Sequence, residues 1–161
     1  ELSEYIERQE LQNNISVTKD GGRIFISFSQ VVFFDGDSPV LKKEAEPVLD
    51  ELCLLFDEVK ESIDELRVLG HTAQEYPNKP NRVRADRTLA SMRATNVVIY
   101  LQEHSTMDPA KLVSEGLGQW RPVDTNETSE GRARNRRVEM IVSGRNLEQE
   151  LQSDIAHFET T

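Results

Sequence analysis

Apolar residues recur along the chain with two different periods, and the changes of period divide it into elements. In "ISVTK" and "RIFISFS" apolar positions alternate, with Ile24, Ile26 and Phe28 on one side. Asp20-Gly21-Gly22 lies between these runs, so the pattern predicts a β-hairpin. "VVFFDGDSPVL" then leaves the sheet as a loop. From Leu41 the period lengthens. Ala45, Val48, Leu49, Leu52, Leu55, Phe56 and Val59 recur at steps of three and four, with Asp50, Glu51, Asp57, Glu58 and Lys60 off the stripe. That is a helix with one apolar face. Pro47 is tolerated in a first turn, so the helix is expected to begin near residue 44.

"ELRVLG" reads as a short buried strand, and residues 72–83, rich in Pro and Asn, as a loop. A second helix is predicted from Ala85 to Glu103, with Leu89, Ala90, Ala94, Val97, Val98 and Leu101 as its core face. Asp108-Pro109 opens a helical turn, Asp as cap and Pro in the first position. "KLVSEGLG" is a strand, residues 119–135 a long polar loop, and "RRVEMIVSG" a last strand in which Val138, Met140 and Val142 alternate. Residues 2–13 fit a lead-in helix and residues 146–158 a C-terminal one. The order predicts an α/β sandwich with helices packed on one face of a small mixed β-sheet. The expected division is a linker helix over residues 1–15, one domain over 16–145 and a closing helix over 146–161.

Composition narrows the classes of function. The 161 residues suit one domain able to bury a core without disulfides or metals. Cys53, in an apolar run, is expected to be a small buried hydrophobe. A formal charge of −10 argues against nucleic acid as a partner. Yet nine of the 19 basic side chains fall within residues 79–93 and 132–137. An acidic chain with two local basic segments suggests focused recognition of a carboxylate. No apolar run reaches the ~18 residues that would span a bilayer. The chain has no signal peptide and does not begin with Met, so an upstream anchor or export signal is expected.

Arg93 is the first candidate for chemistry, because its planar fork of donors suits two carboxylate oxygens. Asp86 precedes it by seven residues, two helical turns, and so shares its face with Leu89 and Ala90 between them. Such a face offers an acceptor, an apolar step and a donor over ~10 Å. His71 has no activated Ser or Cys partner in view. The three histidines lack metal-ligand spacing, so His71 is read as a strand-end residue that orients the following loop by hydrogen bonds. Asp35 and Asp37, two apart in a Gly/Ser/Pro loop, read as turn chemistry. Trp120 either caps the core or touches sugar.

Several motifs in order resemble one family. They are Gly70-His71-Thr72 at a strand end, "LASMRATNVVIYL", "LVSEGLGQWRPVDTN", "GRARNRRVEM" and the upstream "FFDGDSPVLKKEAEPVLDEL". Over residues 22–143 the chain resembles the OmpA/MotB-type peptidoglycan-binding domain. The resemblance implies a non-enzymatic, cofactor-free and metal-free domain that binds the peptidoglycan stem peptide, above all the amine and carboxylate of diaminopimelate. It places Thr72, Ala73, Leu89, Arg93, Asn135 and Arg136 at or near the peptide pocket. Of Arg136 and its neighbour Arg137, alternation along a strand lets one reach it.

The long stretch from Ala73 to Arg93 looks more like the flagellar-stator branch (MotB) than the outer-membrane branch. That branch implies a homodimer, an extracytoplasmic location, an N-terminal membrane helix and a channel-forming partner subunit. An outer-membrane or lipoprotein anchor, or a stator-like unit of a non-flagellar machine, is the alternative. The departures are specific. The family's Asp after Gly-His-Thr is Ala73, its Asn near the helix start is Asp86, and its Ser before x-x-Arg is Ala90. Either Asp86 or Asp35 takes over the ligand's amine, or diaminopimelate affinity has been lost or moved.

Overall fold

The computed structural model describes residues 2–151 and 159–160. In chain order the elements are α1 (Leu2–Arg8), β1 (Ile15–Asp20), β2 (Arg23–Ser29), α2 (Gln30–Phe33), α3 (Ala45–Val59), β3 (Ile63–His71), α4 (Val83–His104), β4 (Leu112–Gly118), α5 (Ser129–Asn135), β5 (Arg137–Gly144), α6 (Leu147–Glu150) and β6 (Glu159–Thr160). The strands form one mixed sheet in the order β4-β3-β5-β2-β1-β6. β3 runs parallel to β4 and antiparallel to β5, and β2 runs antiparallel to both β5 and β1. The α/β class and the one-sided helical layer expected from the periodicities are those observed.

Alternation along each strand sends Ile15, Val17, Ile24, Ile26, Phe28, Leu66, Val68, Val138, Met140 and Val142 into one buried cluster. The stripe of α3, from Ala45 to Val59, covers it. Leu2, Tyr5 and Ile6 of α1 join the same core, as do Leu147 and Leu151. Cys53 is buried there, and desolvation pushes its thiol up to about 12.

The buried face of α4 carries Asp86, Ala90, Arg93, Ala94, Val97 and Leu101. Two charges therefore lie on its inner side. Its strand-ward positions are small, and the sheet is small where the helix crosses it. A Cβ on Gly70 would lie 2.2 Å from the carbonyl oxygen of Ala90, and one on Gly116 would lie 2.5 Å from the amide nitrogen of Ser91. Glycine at both positions lets α4 lie directly on β3 and β4, which sets its N-terminal turns beside the strand ends.

Five features differ from the sequence reading. α4 starts at Val83, two residues early, and α1 ends at Arg8. Residues 30–33 make one helical turn before the loop. The stretch read as a polar loop contains α5, whose cap Thr128 accepts a hydrogen bond from the Gly131 amide. α6 covers four residues, and the rest of the expected C-terminal helix, residues 152–158, lies outside the described residues.

Candidate functional site

A cleft of ≈ 630 Å³ opens where the C-terminal end of β3, the N-terminal turns of α4, the loop after α2 and the end of α5 converge. Thr72, Ala73, Asp86, Leu89, Arg93 and Arg136 all line it. Asp35 and Asn135 are not among its lining residues. Asp35 is exposed, and its carbonyl accepts from the Ser38 amide in a turn. Asn135 is fully buried and orders the preceding loop. Its Oδ1 accepts from the amides of Val123 and Asp124, and its Nδ2 donates to Asp124 O and Asn126 Oδ1.

Asp86 is 4% exposed and bound by neutral donors. Thr72 Oγ1 (2.5 Å) and Asn81 Nδ2 (3.1 Å) donate to its Oδ1, and the Gln119 amide (3.1 Å) donates to its Oδ2. Gly118 makes room for this. Its φ is +67°, and an added Cβ would lie 2.3 Å from Asp86 Oδ2. Asn81 is the hub of the surrounding loop. Besides Asp86, its side chain donates to Ala73 O and accepts from the Glu75 amide, and its backbone exchanges two bonds with the Gln119 side chain. Ala73 thus keeps a structural task through its carbonyl.

Arg93 is 3% exposed. Its Nε donates to Ser38 O (3.0 Å), Nη1 to Gln30 Oε1 (3.2 Å) and Nη2 to Gly36 O (2.6 Å). Three of its five N–H groups are so engaged, and two remain. Gln30 Nε2 also donates to Gly36 O. Desolvation lowers the guanidinium pKa, Asp37 across the cleft raises it, and Arg136 lowers it. Among the described residues no ion pair includes either Asp86 or Arg93. Two buried opposite charges, each solvated by neutral dipoles, therefore stand two helical turns apart.

The basic segments divide by role. Lys79, Arg82 and Arg136 line the cleft with Arg93. Arg87 donates to Gly116 O and Leu117 O, Arg132 to Asn126 O, and Arg134 pairs with Asp124. Arg137 turns away from the cleft, as strand alternation requires of a neighbour to Arg136. It bonds Glu139, Asn135 O and Arg121 O. His71 joins that cluster, its Nε2 2.6 Å from Glu139 Oε1, at ion-pair distance but outside hydrogen-bond alignment. It does not orient the loop as expected; Thr72 and Asn81 do. Sequence reasoning also missed Gln30, Asp37, Glu75, Asn81 and Gln119. The neighbouring Pro and Asn of the loop were the one visible sign of Asn81.

The family model that matches residues 33–136 is that of the OmpA family. This chain belongs to the OmpA family. It is 28% identical over 142 residues to Motility protein B of Bacillus subtilis, covering 88% of this chain and 53% of that protein. The chain thus spans about half the length of that relative. A MotB-like protein from Desulfovibrio vulgaris superposes with a TM-score of 0.75 at 28% identity, covering 89% of this chain and 90% of that one. The cell wall anchor of the T6SS from Pseudomonas aeruginosa superposes at 0.72 with 25% identity, covering 89% and 97%.

Proposed function

We propose that this OmpA-family domain binds peptidoglycan without catalysis and anchors a membrane-embedded machine of the MotB type to the cell wall, on the extracytoplasmic side. One observation carries the binding half: Asp86 and Arg93 are buried opposite charges with no ionic partner among the described residues, at two ends of one cleft. A buried charge without a counter-charge is costly, and it is relieved by a ligand that brings one. An amino-acid zwitterion spans ~3 Å between its charged groups, and a hydrogen bond of ~2.8 Å at each end brings the reach near 9 Å. Seven residues of helix rise ~10 Å. A diaminopimelate end group fits that interval, amine to Asp86 and carboxylate to the two spare N–H groups of Arg93. Thr72 and Asn81 hold Asp86 in place, and Leu89 supplies the apolar step.

This reading assigns the amine to Asp86 rather than Asp35, which lies off the cleft. Asp37 and Glu75, both exposed on its lining, tune the field without gripping. The stator role, with a homodimer and a channel-forming partner subunit reached through an upstream membrane helix, rests on likeness to Motility protein B and a MotB-like structure. The likeness to a T6SS cell wall anchor supports a second reading, the anchor of a non-flagellar machine. Co-sedimentation with purified peptidoglycan tests the binding. The wild-type chain pellets with the wall, and Arg93→Ala stays in solution; equal pelleting of both overturns the assignment.

A further inference from the structure

Beside the cleft, across Leu89, lies a second and markedly apolar groove of ≈ 490 Å³ lined by Pro39, Arg82, Arg84, Ala85, Thr88, Leu89 and Met92. It shares Arg82, Ala85 and Leu89 with the cleft, so the two form one continuous surface along the outer side of α4. Its walls are held in place. Arg93 Nε grips Ser38 O and Asn96 Nδ2 grips Pro39 O (2.7 Å), which pins the loop that forms one side. Its apolar surface is nonetheless open to solvent. Met92 is 44% exposed, and the flanking Val40 and Val83 are 67% and 73% exposed. An apolar strip with two guanidinium groups at its margin, joined end to end with a zwitterion site, has a definite complement. That complement is a small apolar residue followed by a carboxylate.

We propose that the groove is a second subsite for the same stem peptide. It takes the alanine-type residue that follows the zwitterionic one, its methyl group on Leu89 and Met92 and its terminal carboxylate on Arg82 or Arg84. The domain then distinguishes a peptide that continues past the zwitterion from one that ends there. The inference rests on the cleft reading, and the test separates the two.

The full chain is titrated calorimetrically with a synthetic tripeptide ending in diaminopimelate and with the tetrapeptide extended by one alanine. A buried methyl contributes roughly fourfold and a solvent-exposed ion pair up to about fivefold, so the tetrapeptide binds about tenfold tighter. Met92→Asp and Arg84→Glu, both at exposed helix positions, remove that advantage and leave tripeptide affinity unchanged. Equal affinity of the two peptides for the wild-type chain overturns the groove alone. So does an advantage that survives both substitutions, or a change of oligomeric state in Met92→Asp with the advantage intact. Failure of both peptides to bind overturns the cleft and the groove together.

Discussion

Neighbouring residues His71 and Thr72 open onto two buried polar clusters of opposite design. Behind the strand ends, His71 and Arg137 each lie within ion-pair distance of Glu139, so the carboxylate there answers the charge of its neighbours. In front, Thr72 leads to Asp86, and Asp86 and Arg93 are held by hydroxyl, amide and carbonyl groups. His71, Arg137, Asp86 and Arg93 are all buried, and only Glu139 is partly exposed, so the burial of these side chains does not separate the two clusters. The kind of partner does. A charge answered by a charge is finished, whereas a charge steadied by dipoles still attracts an opposite one.

The contrast breaks most sharply at Arg93. On the proposed pose Arg93→Ala removes two charge-assisted contacts to a ligand carboxylate, and peptidoglycan affinity is expected to fall roughly a hundredfold in a sedimentation titration. It also frees the loop at Gly36 and Ser38, so the urea midpoint falls as well.

A second test exchanges charge between two positions. Asp86→Asn keeps the shape and loses the anion, and affinity drops about tenfold. Adding Ala73→Asp to that variant restores the family's arrangement of Asp and Asn, and affinity returns to within about threefold of wild type. Loss without recovery places the amine elsewhere.

The smallest effect on binding is expected in the paired cluster. Glu139→Gln leaves peptidoglycan affinity within about twofold and instead changes the acid limb of stability. The contact with His71, then the charge of Arg137, holds the Glu139 carboxyl below the usual carboxylate range. The unfolded chain therefore takes up the proton first as pH falls. The stabilisation is present above pH ~4.3 and is lost below it as the folded carboxyl titrates. Urea midpoints between pH 3 and 8 show this dependence flattened in the variant, with a loss of about 2 kcal/mol at neutral pH.

What the chain disclosed in advance was what repeats. The alternation of β2 and β5 and the stripe of α3 are periodic, so elements, class and core followed from them. The pairing of Asp86 with Arg93 on one face followed from spacing too. The frame around them did not. Asn81 and Gln119 act by side-chain bonds to backbone up to 38 residues away, and Gln30 by accepting from the Arg93 guanidinium 63 residues on, and such bonds leave no period to read. α5 escaped for a related reason. Seven mostly polar residues behind a Thr cap bury Gly131 and Asn135, neither of which looks like core. Asn135 and Arg136 were adjacent in the motif, yet one orders a loop inside and the other faces the cleft.

The grip of Arg93 on the loop after α2 has a mechanical side. A wall strand pulled sideways would draw on the guanidinium, whose three bonds end on Gln30, Gly36 and Ser38, all in the stretch that leaves β2. β2 is paired on both edges, with β1 and with β5. Tension entering at one side chain would thus pass into the interior of the sheet in shear, where many bonds must yield together. A tether built this way resists tugging in proportion to the sheet and not to the single contact at its tip.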